Sequence, residues 1–221
     1  MPAFEYTGPN LDELERKLST DRLHPYRTAV GGNLEQAVRL YEQNSLLAES
    51  LYGILQGLEV AQRNTIHAQL ASGFGRPEWW DTLQLGPEQD SMVRKAKDAL
   101  KREEKRPDAG RVVAELAFGF WTGLTSARYE ALWRDHLAKI VPSRWLQRVQ
   151  LHNRLNSIRK LCNRVAHHEP ILNRPLQKDA NQIFDTISWI SPITARWVRS
   201  NSSFEERFAV YRERFPKVGA R

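Results

Sequence analysis

Leu47, Leu51, Ile54, Leu58, Ala61, Thr65 and Leu70 recur at close to helical spacing between Ser45 and about Ser72. A chain buries such a stripe as one face of a long α-helix. A strand would need alternation with a period of two, and no alternating stretch of useful length occurs in the sequence. Helical spacing continues on both sides. Leu11, Leu14 and Leu18 share one face of a first helix that Asn10 can cap. HPYRTAVGG reads as a loop. Asn33 can cap a short helix through Leu40 and Tyr41, and Asn44 predicts a break because its amide competes for backbone hydrogen bonds.

Further helices are expected over about 88–105 and 127–140, and from Pro142 and Ser143 to about His168. The first of these ends in the basic run KREEKR, a solvated face. DAGRVVAELAFGFWTGL is apolar almost all round and predicts a buried helix, in which Gly119 and Gly123 permit close contacts or breaks. Two or three shorter helices follow Pro170 and Pro175. SFEE at 203–206 has the form of a capping box. The expectation is an all-α fold: an N-terminal helix and loop over 1–32, an antiparallel helical core over 33–175, and C-terminal helices over 176–221 packed on that core.

At 221 residues, with hydrophobic residues at 41% and seven tryptophans, the chain can bury a sizeable core. Its net charge of +7 suits a polyanionic partner such as RNA, and is also found in proteins that bind nothing acidic. The single cysteine, Cys162, rules out an intramolecular disulfide and favours a reducing compartment. The N-terminal stretch MPAFEYTGPN lacks the basic start and apolar core of a signal peptide. VVAELAFGFWTGL contains Glu115 and is too short to span a bilayer. A cytoplasmic protein with no membrane partner is expected.

KLCNRVAHHEP, residues 160–170, is the most chemically loaded stretch. Residues four apart on a helix lie nearly above one another. Arg159, Asn163 and His167 therefore form one line, and Lys160, Arg164 and His168 the adjacent one. The unpaired carbonyls of a helix end favour protonated histidine. Histidine exchanges protons near neutral pH, and arginine grips phosphate oxygens bidentately. Such a set can cleave RNA without a metal or other cofactor, because the 2′-OH is a built-in nucleophile. A solvated helix terminus whose histidines bond the last carbonyls is the alternative.

A second polar set, LEVAQRNTIH, places Glu59, Arg63 and His67 at spacings of four, with Asn64 alongside. It reads either as an exposed ion pair or as a Glu–Arg pair that positions the late motif across two helices. GRPEWW reads as a core or interface anchor rather than a base-stacking platform. There is no glycine-rich phosphate loop. Adjacent His167 and His168 diverge by about 100° on a helix and no Cys/His set completes a metal site.

Three segments in order, LEVAQRNTIHAQLASGFGRPEWW, VVAELAFGFWTGL followed by YEALW, and IRKLCNRVAHHEPIL, resemble the Abi-like (abortive infection, AbiD/AbiF-type) proteins of the HEPN superfamily. The resemblance covers roughly Asn33 to Pro175. It implies a HEPN-like antiparallel bundle and a metal-independent endoribonuclease acting in phage defence or as a toxin. It also implies a composite site shared across a homodimer, and an antitoxin or another defence protein as a possible partner. The alternative is a non-catalytic HEPN module that binds RNA or a protein. Carried onto this chain, His167 is the general acid or base. Arg159 and Arg63 contact phosphate, with Asn163 and Glu59 orienting them, while Arg164, His168, Asn64 and Lys160 contact RNA. The family pattern sets an arginine four to six residues ahead of its histidine. Counting four intervening residues back from His167 reaches Cys162, whereas Arg159 is separated by seven and Arg164 by two.

Overall fold

The computed structural model describes residues 4–141 and 146–218, and the described residues are helical, without a strand. Eleven α-helices are described: α1 (Gly8–Leu18), α2 (Thr20–Ala29), α3 (Leu34–Phe74), α4 (Pro87–Arg102), α5 (Ala109–Glu115), α6 (Phe118–Gly123), α7 (Glu130–Asp135), α8 (Arg148–Ala166), α9 (Leu176–Ile190), α10 (Pro192–Ser200) and α11 (Phe204–Arg214). Among the described residues no helix is long and apolar enough to cross a membrane.

The chain divides into two compact units. One unit comprises Met1–Gly53, Arg164–Ala180 and Ser202–Arg221; the other comprises Ile54–Asn163 and Asn181–Asn201.

In the first unit, Leu11, Leu23 and Val38 form a buried cluster covered by Tyr6, Leu14, Leu18, Leu34 and Tyr41. That burial explains α2, which replaces the loop expected over HPYRTAVGG. Pro25 removes one N–H from the helix, but Leu23 and Tyr26 reach the interior only if the segment is helical. Asn10 does not cap α1. Thr7 holds that position without a side-chain bond, and the Asn10 amide donates to the Glu5 carbonyl. Asn33 does cap α3, accepting the Gln36 N–H at 2.8 Å.

No break occurs at Asn44. Helix α3 runs unbroken for 41 residues, because Asn44 turns its side chain outward from the helix and accepts the Ile171 N–H at 2.8 Å. A side chain occupied by a distant backbone no longer competes with its own helix. SFEE does not close as a capping box: Ser203 makes no side-chain cap bond, and Ser202 Oγ accepts the Phe204 N–H instead.

In the second unit α3 is buried at Ile54, Leu58, Ile66 and Leu70, and Ile66 takes the inward place expected of Thr65, which like Ala61 is only half-buried. Trp79 and Trp80 are also buried, and Trp79 lies among Trp80, Phe120 and Trp121. These tryptophans are core anchors. The single helix expected over DAGRVVAELAFGFWTGL is instead α5 and α6, broken at Leu116 and Ala117, both with extended backbone. The break lets the Trp121 indole donate to the Leu116 carbonyl at 3.0 Å inside the core. The expected helix over 127–140 is the short α7 between two 3-10 turns. Helix α8 starts at Arg148, and the start expected at Pro142 and Ser143 lies outside the described residues.

Candidate functional site

The late motif ends α8 earlier than its spacing suggests. Ala166 is the last helical residue, and His168 has φ +56°, the left-handed conformation that L-residues adopt at a cost. The Glu169 N–H bonds the Arg164 carbonyl at 2.8 Å, and the His168 N–H bonds the Val165 carbonyl at 3.1 Å. This pair of bonds is a Schellman closure, with His168 at the position usually held by glycine. Arg22 donates to the His168 carbonyl, and Arg164 donates to the Pro170 carbonyl at 3.0 Å. Backbone N–H groups thus meet the Arg164 and Val165 carbonyls at the end of the helix, and the two arginines bond carbonyls just beyond it.

The helical lines drawn from spacing therefore need correction. His168 has left the helix and does not continue the Lys160–Arg164 line. Arg164 is engaged with the Pro170 carbonyl and lies 3.7 Å from Glu169, so its guanidinium is tied to the loop that follows the helix. Arg159 does not reach along the helix towards His167. Its guanidinium turns one turn back, bonding Asn156 Oδ1 at 2.9 and 3.2 Å. Helical side chains lean towards the N-terminus, which favours that partner over one ahead. His167 itself is exposed, and among the described residues no hydrogen bond takes its ring. Asn163 and Lys160 are exposed as well.

The early motif lies on the part of α3 that belongs to the second unit. Among the described residues no ion pair joins Glu59 and Arg63, so the Glu–Arg pair expected from their spacing is absent. Arg63 is half-buried, and its Nε is buried without an acceptor. Asn64 is exposed. His67 has a structural task. The Trp79 indole, which can only donate, bonds its Nδ1 at 3.1 Å. Nδ1 must then be unprotonated, and burial lowers the His67 pKa below its ordinary 6.5. It is not part of a cationic strip.

Cys162 is half-buried, and its thiol is pushed up first by burial and then by the negative charge of Glu59. Two consequences follow within the second unit. The charge of Glu59 on α3 acts on Cys162 on α8, so the early motif shares this unit with the Arg159–Asn163 part of the late motif, while Arg164–His168 belong to the first unit. A protonated thiol in this place is neither a phosphate contact nor a reactive nucleophile.

One open groove borders the late motif, wholly within the first unit. Its volume is about 350 Å³, and it is lined by Tyr41, Asn44, Ser45, Ala48, Glu49, Tyr52, Val165 and His168. The α3 residues fall on one helical face by spacing, and Tyr52 is 63% exposed at its edge. Sequence reasoning missed this face. The one available signal was Tyr52, an aromatic residue set off the buried stripe. No family model matches the sequence, and no curated protein or solved structure was found to match it.

Proposed function

We propose that the chain is a HEPN-type, metal-independent endoribonuclease acting in abortive infection or as a toxin, as the resemblance of its motifs implies. The observation that supports this best is that the charge of Glu59 in the early motif acts on Cys162 within the unit that also holds the Arg159–Asn163 segment of the late motif. Arg63 adds to it, since a buried guanidinium nitrogen without a protein acceptor is costly unless an anion meets it.

In this reading His167 takes the proton of a ribose 2′-OH as its oxygen attacks the neighbouring phosphorus. The bond from phosphorus to the 5′-oxygen breaks, and that oxygen receives a proton from a second imidazole. The products are a 2′,3′-cyclic phosphate and a 5′-hydroxyl. A homodimer supplies the second imidazole as the other copy's His167. The resemblance assigns the phosphate contact to Arg63, its surroundings to Glu59 and Asn163, and strand contacts to Asn64 and Lys160. Arg159 contributes only if it leaves Asn156.

The alternative, a non-catalytic module that binds RNA or a defence protein, is favoured by one observation. The position of the family arginine is a half-buried protonated thiol, and the nearest arginine on its N-terminal side is bonded to Asn156. Cleavage of single-stranded RNA with chelator present, compared between wild type and His167→Ala, separates the two. Wild-type cleavage lost in the variant supports the enzyme. RNA binding equal in both proteins, without cleavage, supports the module. Cys162→Ser is expected to change neither, since the thiol takes no part in either scheme.

A further inference from the structure

The groove beside the histidine pair contains a carboxylate, and this restricts its occupant. Among the described residues no ion pair engages Glu49, which is exposed at the groove. An unpaired carboxylate repels a phosphate, so the groove does not hold the backbone of a nucleic acid. It holds the other part of a nucleotide. The aromatic faces of Tyr52 and Tyr41 suit a base, because every base presents a π-face to stack on. Tyr41 is half-buried and held edge-on by Tyr26 at 5.2 Å, so it is a fixed wall. The volume of about 350 Å³ lies within the range of small-molecule sites, roughly 300–1,000 Å³.

The polar groups choose among the bases. Glu49 is acceptor-only when ionised, with two oxygens side by side. Guanine alone presents two adjacent donors, N1–H and the N2 amino group, on one edge. Adenine and cytosine place a ring acceptor beside their amino group, which a carboxylate repels, and uracil offers a single N–H. Asn44 sharpens the choice. Its Oδ1 accepts the Ile171 N–H at 2.8 Å, which fixes the amide orientation and leaves Nδ2 as the donor. That donor complements the O6 acceptor of guanine. An adenine reader would need the Asn44 acceptor as well, and here it is engaged.

We infer that this groove is a guanine subsite, with Glu49 reading the N1–H and N2 edge, Asn44 donating to O6, and Tyr52 stacking on the ring. His168 lines the groove, and His167, the proposed acid–base, is the preceding residue, so a bound guanine lies next to the bond to be cleaved. The inference rests on the RNA-cleaving reading for its purpose, but binding can be tested without cleavage.

The test titrates the four nucleoside 5′-monophosphates into the full chain, by calorimetry and by backbone amide shifts. The guanine nucleotide is expected to bind at least tenfold more tightly than the other three, shifting amides of Asn44, Glu49, Tyr52 and His168. Glu49→Gln is expected to abolish that preference, and Tyr52→Ala to weaken all four; circular dichroism reports whether each variant is folded. Equal affinities, no binding at millimolar concentration, shifts lying elsewhere, or a guanine preference that survives in folded Glu49→Gln would each overturn the subsite. Cleavage dependent on His167 without guanine preference would leave the nuclease and remove the subsite. Guanine binding without cleavage would do the reverse.

Discussion

At the scale of single residues, the conformation of His168 governs how the late motif is displayed. A left-handed φ costs an L-residue roughly 1–2 kcal/mol, and glycine avoids this while giving back roughly 0.5–1 kcal/mol in chain entropy. His168→Gly is therefore expected to raise stability by about 0.5–1 kcal/mol in urea unfolding, and His168→Val to lower it by at least about 1 kcal/mol. Equal stabilities of the three proteins would deny the strain. His67 gives a pH dependence of known sign. Its folded pKa lies below 6.5, so the unfolded chain binds its proton first as pH falls. Its stability contribution is complete above about pH 6.5 and is lost as pH drops towards the lower folded value. His67→Gln keeps an acceptor for Trp79 without titrating. The loss of stability between about pH 7 and 5 is expected to be smaller in that variant, and identical slopes would count against a neutral His67.

Among the elements, α3 and α10 meet closely inside the second unit. A Cβ on Gly57 would stand 2.6 Å from Val198 Cγ2, a short side chain with little room to move. Glycine to alanine inside a helix ordinarily stabilises by about 1 kcal/mol. Here overpacking is expected to win, and Gly57→Ala to destabilise by about 1–3 kcal/mol. Adding Val198→Ala is expected to recover part of the loss, and a strictly additive pair would contradict the contact. The same elements show what was legible in the sequence. The stripe from Leu47 to Leu70 announced a long helix because periodicity survives any tertiary setting. Asn44 and Pro25 misled because their local preferences were outweighed, by a backbone partner 127 residues away in one case and by burial of Leu23 and Tyr26 in the other. The histidine pair was visible as chemistry, but its Schellman closure was not, since His is an uncommon residue at that position. Arg159 was placed by spacing alone, which gives a side chain's row and not its rotamer.

For the whole molecule, the net charge of +7 and the proposed RNA partner give a salt dependence. Affinity for single-stranded RNA is expected to fall at least tenfold between about 50 and 200 mM salt, as phosphate contacts release counterions. An affinity flat over that range would point to a protein partner. Light scattering at micromolar concentration is expected to give twice the chain mass of 25.6 kDa, and a monomer would remove the source of the second imidazole. The most direct measurement is the chemistry of the RNA ends formed by purified protein in excess chelator. Wild type is expected to leave 2′,3′-cyclic phosphates, to fail on RNA carrying 2′-O-methyl groups, and to lose at least about a hundredfold in rate as His167→Ala. Folded wild-type protein that leaves RNA intact, or cleavage that persists undiminished in His167→Ala, would contradict it.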